Sequence, residues 1–369
     1  MKRAAAAAIS LMTGLAMLTG CSRAEVEETI QPLVADAIEE SDSEAEAVKE
    51  EDESPLIPEI DTDIKIHAGS RIAVVSKCVK GEYWKMVKKG MEDAVKEINK
   101  AYGYKKDDQI TMTFEGPDNE EDVETQINTI DAVIAENPDV LCISASDMDS
   151  CEAQLEAAKE NGIPVIAFDS NVAEKKLVKA YRGTDNVQVG KMAAYQLGSA
   201  LGKMGKVVVF SAQQKTKSVQ DRVEGFMNNI GKYGDIEVVE TIYSDQVDDM
   251  EASMKEVLEK YPTLDGVFCT NADITEMYLN LEKSDEHDAP ALVGVDATTK
   301  QQEAIRNGEE IGCVSQQPYA MGYQTIWAAV ETTAPKKSVV IEKNVLSNPA
   351  WIDADCLDDP DYSGYLYTE

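Results

Sequence analysis

Polar side chains able to grip a small molecule recur at one kind of place in this chain, directly after short apolar runs. Lys80, Tyr83 and Trp84 follow Ile72-Ala73-Val74-Val75, and Asp169 and Asn171 follow Pro164-Val165-Ile166-Ala167-Phe168. Asn271 and Asp273 follow Gly266-Val267-Phe268-Cys269, Asp296 follows Ala291-Leu292-Val293-Gly294-Val295, and Gln316 follows Val314. Carboxylates and primary amides each offer two coplanar polar atoms, which suits them to bridging neighbouring hydroxyls. An aromatic face packs against the C–H face of a ring. Such a set would hold a polyhydroxylated ring rather than break a bond. Each residue also has a plainer reading: Asn271 or Asp273 as a helix N-cap, Asp296 as a turn or cap residue, Tyr83 and Trp84 as core.

The signatures of catalysis are missing. No Gly-x-Gly-x-x-Gly follows the first run, and no Gly-x-Ser-x-Gly elbow occurs. The stretch from Gly198 to Lys203 has one residue too few between its glycines for a phosphate loop, and Met204 stands where Ser or Thr must follow the lysine. The two histidines, His67 and His287, fall in polar connecting segments. No catalytic residue, cofactor or metal site is expected.

The elements that must position these groups alternate. Runs apolar on both faces are what a parallel sheet covered by helices requires. Between them Val87, Met91, Ala94, Val95 and Ile98 recur at helical spacing, as do Ile127, Ile130 and Ile134. Counting Ile110 to Phe114 and Leu177 to Tyr181, at least five strands precede residue 185 and four or more follow it. One compact sheet of this kind seldom holds so many, so the order predicts two doubly wound α/β sheets. Ligands of such sheets bind beyond the carboxyl ends of the strands, where the polar set falls.

The first residues read differently. Lys2 and Arg3 precede an apolar stretch from Ala4 to Leu18, which ends in Leu18-Thr19-Gly20-Cys21. This is the layout of a secretory signal and is short for a membrane span. It resembles a bacterial lipobox, with Cys21 as the residue to be acylated; the alternative is an ordinary signal peptide with a coincidental cysteine. Residues 22–66 hold sixteen acidic and three basic side chains. Such a segment buries too little apolar surface to fold and is expected to act as an extended tether, with a short helical patch possible near Glu25 to Glu40. The formal charge of the whole chain is −34, which disfavours nucleic acid as a partner. Cys142, Cys269 and Cys313 sit in apolar runs and read as core; a disulfide among the six cysteines after Cys21 is left open.

The resemblance becomes specific in Gln126-Ile127-Asn128-Thr129-Ile130, Pro138-Asp139-Val140-Leu141-Cys142-Ile143-Ser144 and Gly162-Ile163-Pro164-Val165-Ile166-Ala167-Phe168-Asp169-Ser170. It continues through Gly183-Thr184-Asp185-Asn186, Arg222-Val223-Glu224-Gly225-Phe226, Asn271, Gly294-Val295-Asp296 and Gln316-Gln317-Pro318. In order and content, from about residue 70 to 350, the chain resembles the ribose-binding type I periplasmic binding proteins. The resemblance implies two Rossmann-like lobes joined by three crossovers, near Thr184 to Asn186, Gln316 to Pro318 and Asn344 to Leu346. Residues 67–184 with 318–344 would form one lobe, and 185–317 with 345–369 the other. Carried over residue by residue, it gives Tyr83 and Trp84 as the aromatic pair, Asp169 as the hydroxyl-binding carboxylate, and Arg222, Asn271, Asp296 and Gln316 as the second-lobe set. It implies a monomer outside the cytoplasm that takes a monosaccharide or polyol to an ABC permease, or else presents a ligand to a membrane sensor or chemoreceptor or binds a non-sugar small molecule; the lipobox adds an anchor by lipid on Cys21. A repressor sharing the fold would need a helix-turn-helix where the lipobox stands. Lys80 and Gly81 depart from the ribose pattern, the loop from Ser76 to Trp84 is one residue longer, and Ser170 replaces an arginine.

Overall fold

The computed structural model describes residues 57–281, 289–335 and 338–368. The signal, Cys21, the possible helical patch, most of the tether and His287 lie outside them. In the first sheet the strands are β1 (Arg71–Val75), β2 (Thr111–Glu115), β3 (Val140–Ile143), β4 (Val165–Phe168) and β5 (Ala180–Thr184). Helices α1 (Gly81–Ala101), α2 (Val123–Ala135) and α3 (Glu152–Glu160) alternate with them. The second half repeats the plan: α4 (Asn186–Ala200), β6 (Met204–Ser211), α5 (Lys217–Ile230), β7 (Asp235–Tyr243), α6 (Met250–Lys260), β8 (Gly266–Cys269), α7 (Ala272–Leu279), β9 (Ala291–Val295), α8 (Thr299–Asn307) and β10 (Gly312–Ser315). After these come α9 (Pro318–Thr332), β11 (Asn344–Ser347) and β12 (Ala350–Ile352).

Two six-stranded sheets result, in the orders β11-β5-β4-β3-β1-β2 and β12-β10-β9-β8-β6-β7. Laid side by side, the two orders match strand for strand. All pairings are parallel except that of β10 with β12. Every residue of β3, β4 and β8 is buried, as expected of strands covered on both faces. The chain passes between the sheets at Asp185, at Gln316–Gln317 and at Asn348–Pro349.

Four expectations shift. The third passage lies after β11 rather than at 344–346, because Asn344–Ser347 pairs with β5 and belongs to the first sheet. The strand expected at Leu177 begins at Ala180, since Lys175–Leu177 forms a 3-10 turn that buries Leu177. The tether ends earlier than residue 66: Ile60, Ile64 and Ile66 pack on the core of the first lobe, and the Tyr102 hydroxyl donates to the carbonyls of Asp61 and Ile64. The six described cysteines are all buried, and no disulfide joins any two of them among the described residues.

Each lobe is stiffened by one pair of helices in backbone contact. A Cβ on Gly90 of α1 would fall 2.0 Å from the Tyr319 carbonyl oxygen of α9, and one on Gly322 of α9 would fall 2.1 Å from that of Val87. In the second lobe a Cβ on Gly190 of α4 would fall 1.9 Å from the Arg222 carbonyl oxygen, and one on Gly225 of α5 would fall 2.1 Å from that of Val187. Contacts below 3 Å admit no side chain, so only glycine permits these crossings.

Candidate functional site

Between the carboxyl ends of the two sheets lies a cavity of about 290 Å³, lined from both lobes. That is close to the lower end of the range for small-molecule sites, about 300–1,000 Å³. Lys80, Tyr83, Trp84 and Asp169 line it from the first lobe, and Arg222, Asn271 and Asp296 from the second, with Gln316 on a passage between them. Asn171 does not line it. Its amide oxygen accepts from the Val172 N–H at 2.9 Å, which turns the side chain toward its own backbone.

Asp169 is the centre of the first wall. Its backbone takes a left-handed φ of 55°, its Oδ1 accepts from the Tyr83 hydroxyl at 2.6 Å, and its Oδ2 accepts from Ser144 Oγ at 2.8 Å. Lys77 Nζ lies 3.1 Å from Oδ2, with Glu120 Oε2 on its other side at 3.5 Å. Burial alone would raise the Asp169 pKa, but Lys77, the Tyr83 hydrogen bond, Arg222 and Ser144 overcome it and hold the carboxyl below its ordinary value. For Lys77 the same contest ends with the ammonium held above its ordinary value: burial lowers it, and Asp169 and Glu120 raise it more. Both shifts favour the charged pair.

Tyr83 and Trp84 meet edge to face, with ring centroids 5.1 Å apart. Trp84 Nε1 donates to Glu120 Oε1 at 2.8 Å, and Lys77 Nζ lies over its ring at 5.7 Å. Trp84 thus lines the cavity and also belongs to the core, with 3% of its surface exposed. Lys80 stays at the mouth in an exposed pair with Asp118 at 2.5 Å; a pair so exposed contributes little.

On the second wall, Arg222 is buried and fixed: Nε donates to Asn186 Oδ1 at 2.8 Å and Nη1 to the Thr270 carbonyl at 2.7 Å. The neighbouring Asp221 pairs with Lys217 instead. The fork is thereby aimed with one terminal nitrogen left for a ligand. Asn271 caps α7, its Oδ1 accepting from the Ile274 N–H at 3.1 Å, so its amide NH₂ is the group free to donate. Asp296, also left-handed at φ 80°, accepts from Gln316 Nε2 at 2.7 Å and from the Ala272 N–H at 3.0 Å. Gln316 in turn accepts from Thr184 Oγ1 at 2.9 Å, joining two of the passages. Asp273 also faces the cavity. Burial first, then Glu120, Glu276 and Asp296, push its carboxyl up to about 7, and solvent at the mouth screens part of that field.

The lobes touch across the cleft. Glu82 of α1 accepts from the Thr299 N–H at the start of α8 at 2.8 Å, Ser170 and Ser218 share a hydrogen bond of 2.6 Å, and Gln213 Nε2 donates to the Ser146 carbonyl at 2.9 Å. Sequence reasoning missed Lys77 and Glu120. Lys77 stands two residues past β1, within the zone that the strand-end rule marks out. Glu120 lies in the loop after β2, whose alternating burial made it a faint strand.

Paired doubly wound sheets with a polar cavity at their facing carboxyl ends define a two-lobe solute-binding protein. The profile of the periplasmic binding protein domain matches residues 72–337, and the chain belongs to that family. A ribose import binding protein of Bacillus subtilis (strain 168) is 25% identical over 220 residues, which is 60% of this chain and 71% of the relative. A xylitol-binding protein of Mycolicibacterium smegmatis is 25% identical over 211 residues, 57% of this chain and 60% of the relative, so the match spans less than two thirds of that protein. Among solved structures, an ABC transporter solute-binding protein of Agrobacterium vitis with bound D-fucose superimposes with a TM-score of 0.72 at 26% identity, covering 81% of this chain and 100% of that one. A carbohydrate transporter solute-binding protein of Agrobacterium radiobacter in complex with D-arabinose gives 0.70 at 26% identity, covering 81% and 99%. Among the described residues no helix is long and apolar enough to cross a membrane.

Proposed function

We propose that the protein captures a monosaccharide or related polyol in this cavity, outside the cytoplasm, and delivers it to an ABC importer. The observation that carries the reading is the pair of buried carboxylates, Asp169 and Asp296, one at the end of β4 and one at the end of β9, facing a cavity of about 290 Å³ from opposite walls. Each is held in place by donors and can accept from adjacent hydroxyls. Arg222 and Asn271 supply donors, and the size suits a single ring. The sugar names attached to the related proteins support the same class. The residues proposed to contact the ligand are Lys80, Tyr83, Trp84, Asp169, Arg222, Asn271, Asp296 and Gln316.

A panel of D-ribose, D-allose, D-fucose, D-arabinose and xylitol tests this in a thermal-shift assay. A ligand at a hundred times its Kd stabilises the folded form by about 2.7 kcal/mol, which for a fold of this size raises the midpoint by roughly 4 °C. If no sugar moves the midpoint while an amino acid or a nucleoside does, the sugar class is wrong. The partner could instead be a membrane sensor; transport assays in cells with and without the permease separate the two.

Residues 1–21 are proposed to be a signal with its lipobox, residues after Cys21 an acidic tether, and Cys21 the lipid attachment site. Two acyl chains on Cys21 would hold the protein stably at the membrane, where one would hold it only marginally. Cys21→Ser should abolish labelling by radioactive palmitate; an unlabelled wild type, or a labelled variant, removes the anchor.

A further inference from the structure

We infer that Tyr367 is a positioning residue of this site, holding the Asp296 carboxylate for the ligand from a segment 71 residues further along the chain. The inference rests on the sugar-binding reading for its ligand, and not for its geometry. The two cavity aspartates occupy matching places, Asp169 after β4 and Asp296 after β9, each on the third strand from the same edge of its sheet. Both have left-handed backbones, at φ 55° and 80°. Few residues other than glycine adopt that conformation, and it persists where surrounding bonds over-determine it.

The bonds match as well. A buried tyrosine donates to Oδ1 of each: Tyr83 to Asp169 at 2.6 Å and Tyr367 to Asp296 at 2.9 Å. The two tyrosine rings then meet across the lobes, with centroids 5.9 Å apart and planes at 55°. Tyr83 arrives on a long helix. Tyr367 arrives on an irregular segment that is pinned along its length: the Tyr367 N–H donates to the Ala297 carbonyl at 3.0 Å, its own carbonyl accepts from Gln302 Nε2 at 2.8 Å, and Ser315 Oγ donates to the Tyr365 carbonyl at 2.5 Å. The Tyr365 hydroxyl donates to the Asn348 carbonyl at 3.2 Å, on the third passage between the lobes. Such anchoring is more than is needed to bury one ring. Tyr367 is 1% exposed and is not among the cavity-lining residues, so it acts through Asp296. Burial, then the Asp296 charge, hold its phenol well above the ordinary value, which keeps it a donor at every physiological pH.

Tyr367→Phe removes only the hydroxyl, and two measurements on the full-length protein read the result. Without ligand, exchange of the Ala272 amide, which donates to Asp296 Oδ2, should speed up by about tenfold as the carboxylate loosens. With the same five compounds, affinity for each one that binds the wild type should fall by about tenfold. Tyr367→Leu, which also removes the ring, should melt lower than Tyr367→Phe yet lose affinity by the same factor. If Tyr367→Phe leaves Ala272 exchange unchanged, or keeps full affinity while only the melting temperature falls, Tyr367 is a core residue and the inference is overturned. If no panel compound binds the wild type, the sugar reading fails and the Ala272 measurement alone decides the role of Tyr367.

Discussion

Asp169→Ala should both unfold more readily and lose ligand binding, and the two losses have separable causes. The substitution leaves Lys77 buried with only Glu120 at 3.5 Å and strips the Tyr83 and Ser144 hydroxyls of their acceptor. Breaking a buried ion pair from one side costs about 3–5 kcal/mol, because an uncompensated charge stays inside. Urea denaturation should show a loss of that size. The double variant Lys77→Met/Asp169→Leu removes the charge with the pair and should recover most of the stability while binding stays lost. Equal instability of the single and double variants would mean that the pair is not the cause. The depressed carboxyl adds an acid signature. A group whose folded pKa lies below its unfolded value of about 3.9 stabilises the fold above that value, and the contribution disappears as pH falls through the folded pKa. Wild-type stability should therefore drop more steeply below pH 4 than that of Asp169→Ala.

Trp84→Ala should be the second severe lesion, and mainly through stability. Stacking on a ligand would have predicted a loss of affinity first, but with 3% of its surface exposed the indole has little left to bury in this closed arrangement. It packs on Tyr83 and, at 6.4 Å and near right angles, on Phe168. Truncating a buried Trp costs about 3–5 kcal/mol, which calorimetry or urea titration will register. Trp84→Phe keeps most of the packing and gives up the Nε1 bond to Glu120, a loss of about 1 kcal/mol. It also removes one of three fluorophores; Trp327 sits in the core on α9 and Trp351 on β12. A saturating sugar should change the emission of the wild type and leave that of Trp84→Phe nearly flat. A full response in Trp84→Phe would mean that the indole does not sense the cavity.

Much of this was legible because parallel strands write themselves as apolar runs, and because ligands bind at the residues directly after such a run. Val165–Phe168, Gly266–Cys269 and Ala291–Val295 could be read directly, and with them Asp169, Asn271 and Asp296. Where the run is weak, the reading fails. β2 alternates in burial, so the loop carrying Glu120 drew no attention. Asn171 shared the position of its neighbours but not their direction, since a side chain two residues past a strand can fold onto its own backbone as easily as into a cleft. Tyr367 left no local signal at all: its partner, Asp296, is fixed by tertiary contact alone. The edge strand β11 was read as a crossover because three exposed or half-exposed residues of its four mask the parallel pairing.

The glycine crossings of α1 with α9 and of α4 with α5 have a mechanical consequence. Helices locked backbone to backbone have no side-chain cushion to deform, so each lobe behaves as a single lever. Any opening of the cleft must then be concentrated in the five residues Asp185, Gln316, Gln317, Asn348 and Pro349 that lie between the sheets. The proline ring fixes one of the available torsions. Gln316 is both a pivot and a wall of the cavity, bonded to Thr184 on one side and Asp296 on the other. Rotation of the levers would therefore disturb the Asp296 carboxylate directly, making the grip on a ligand and the angle between the lobes two readings of one joint.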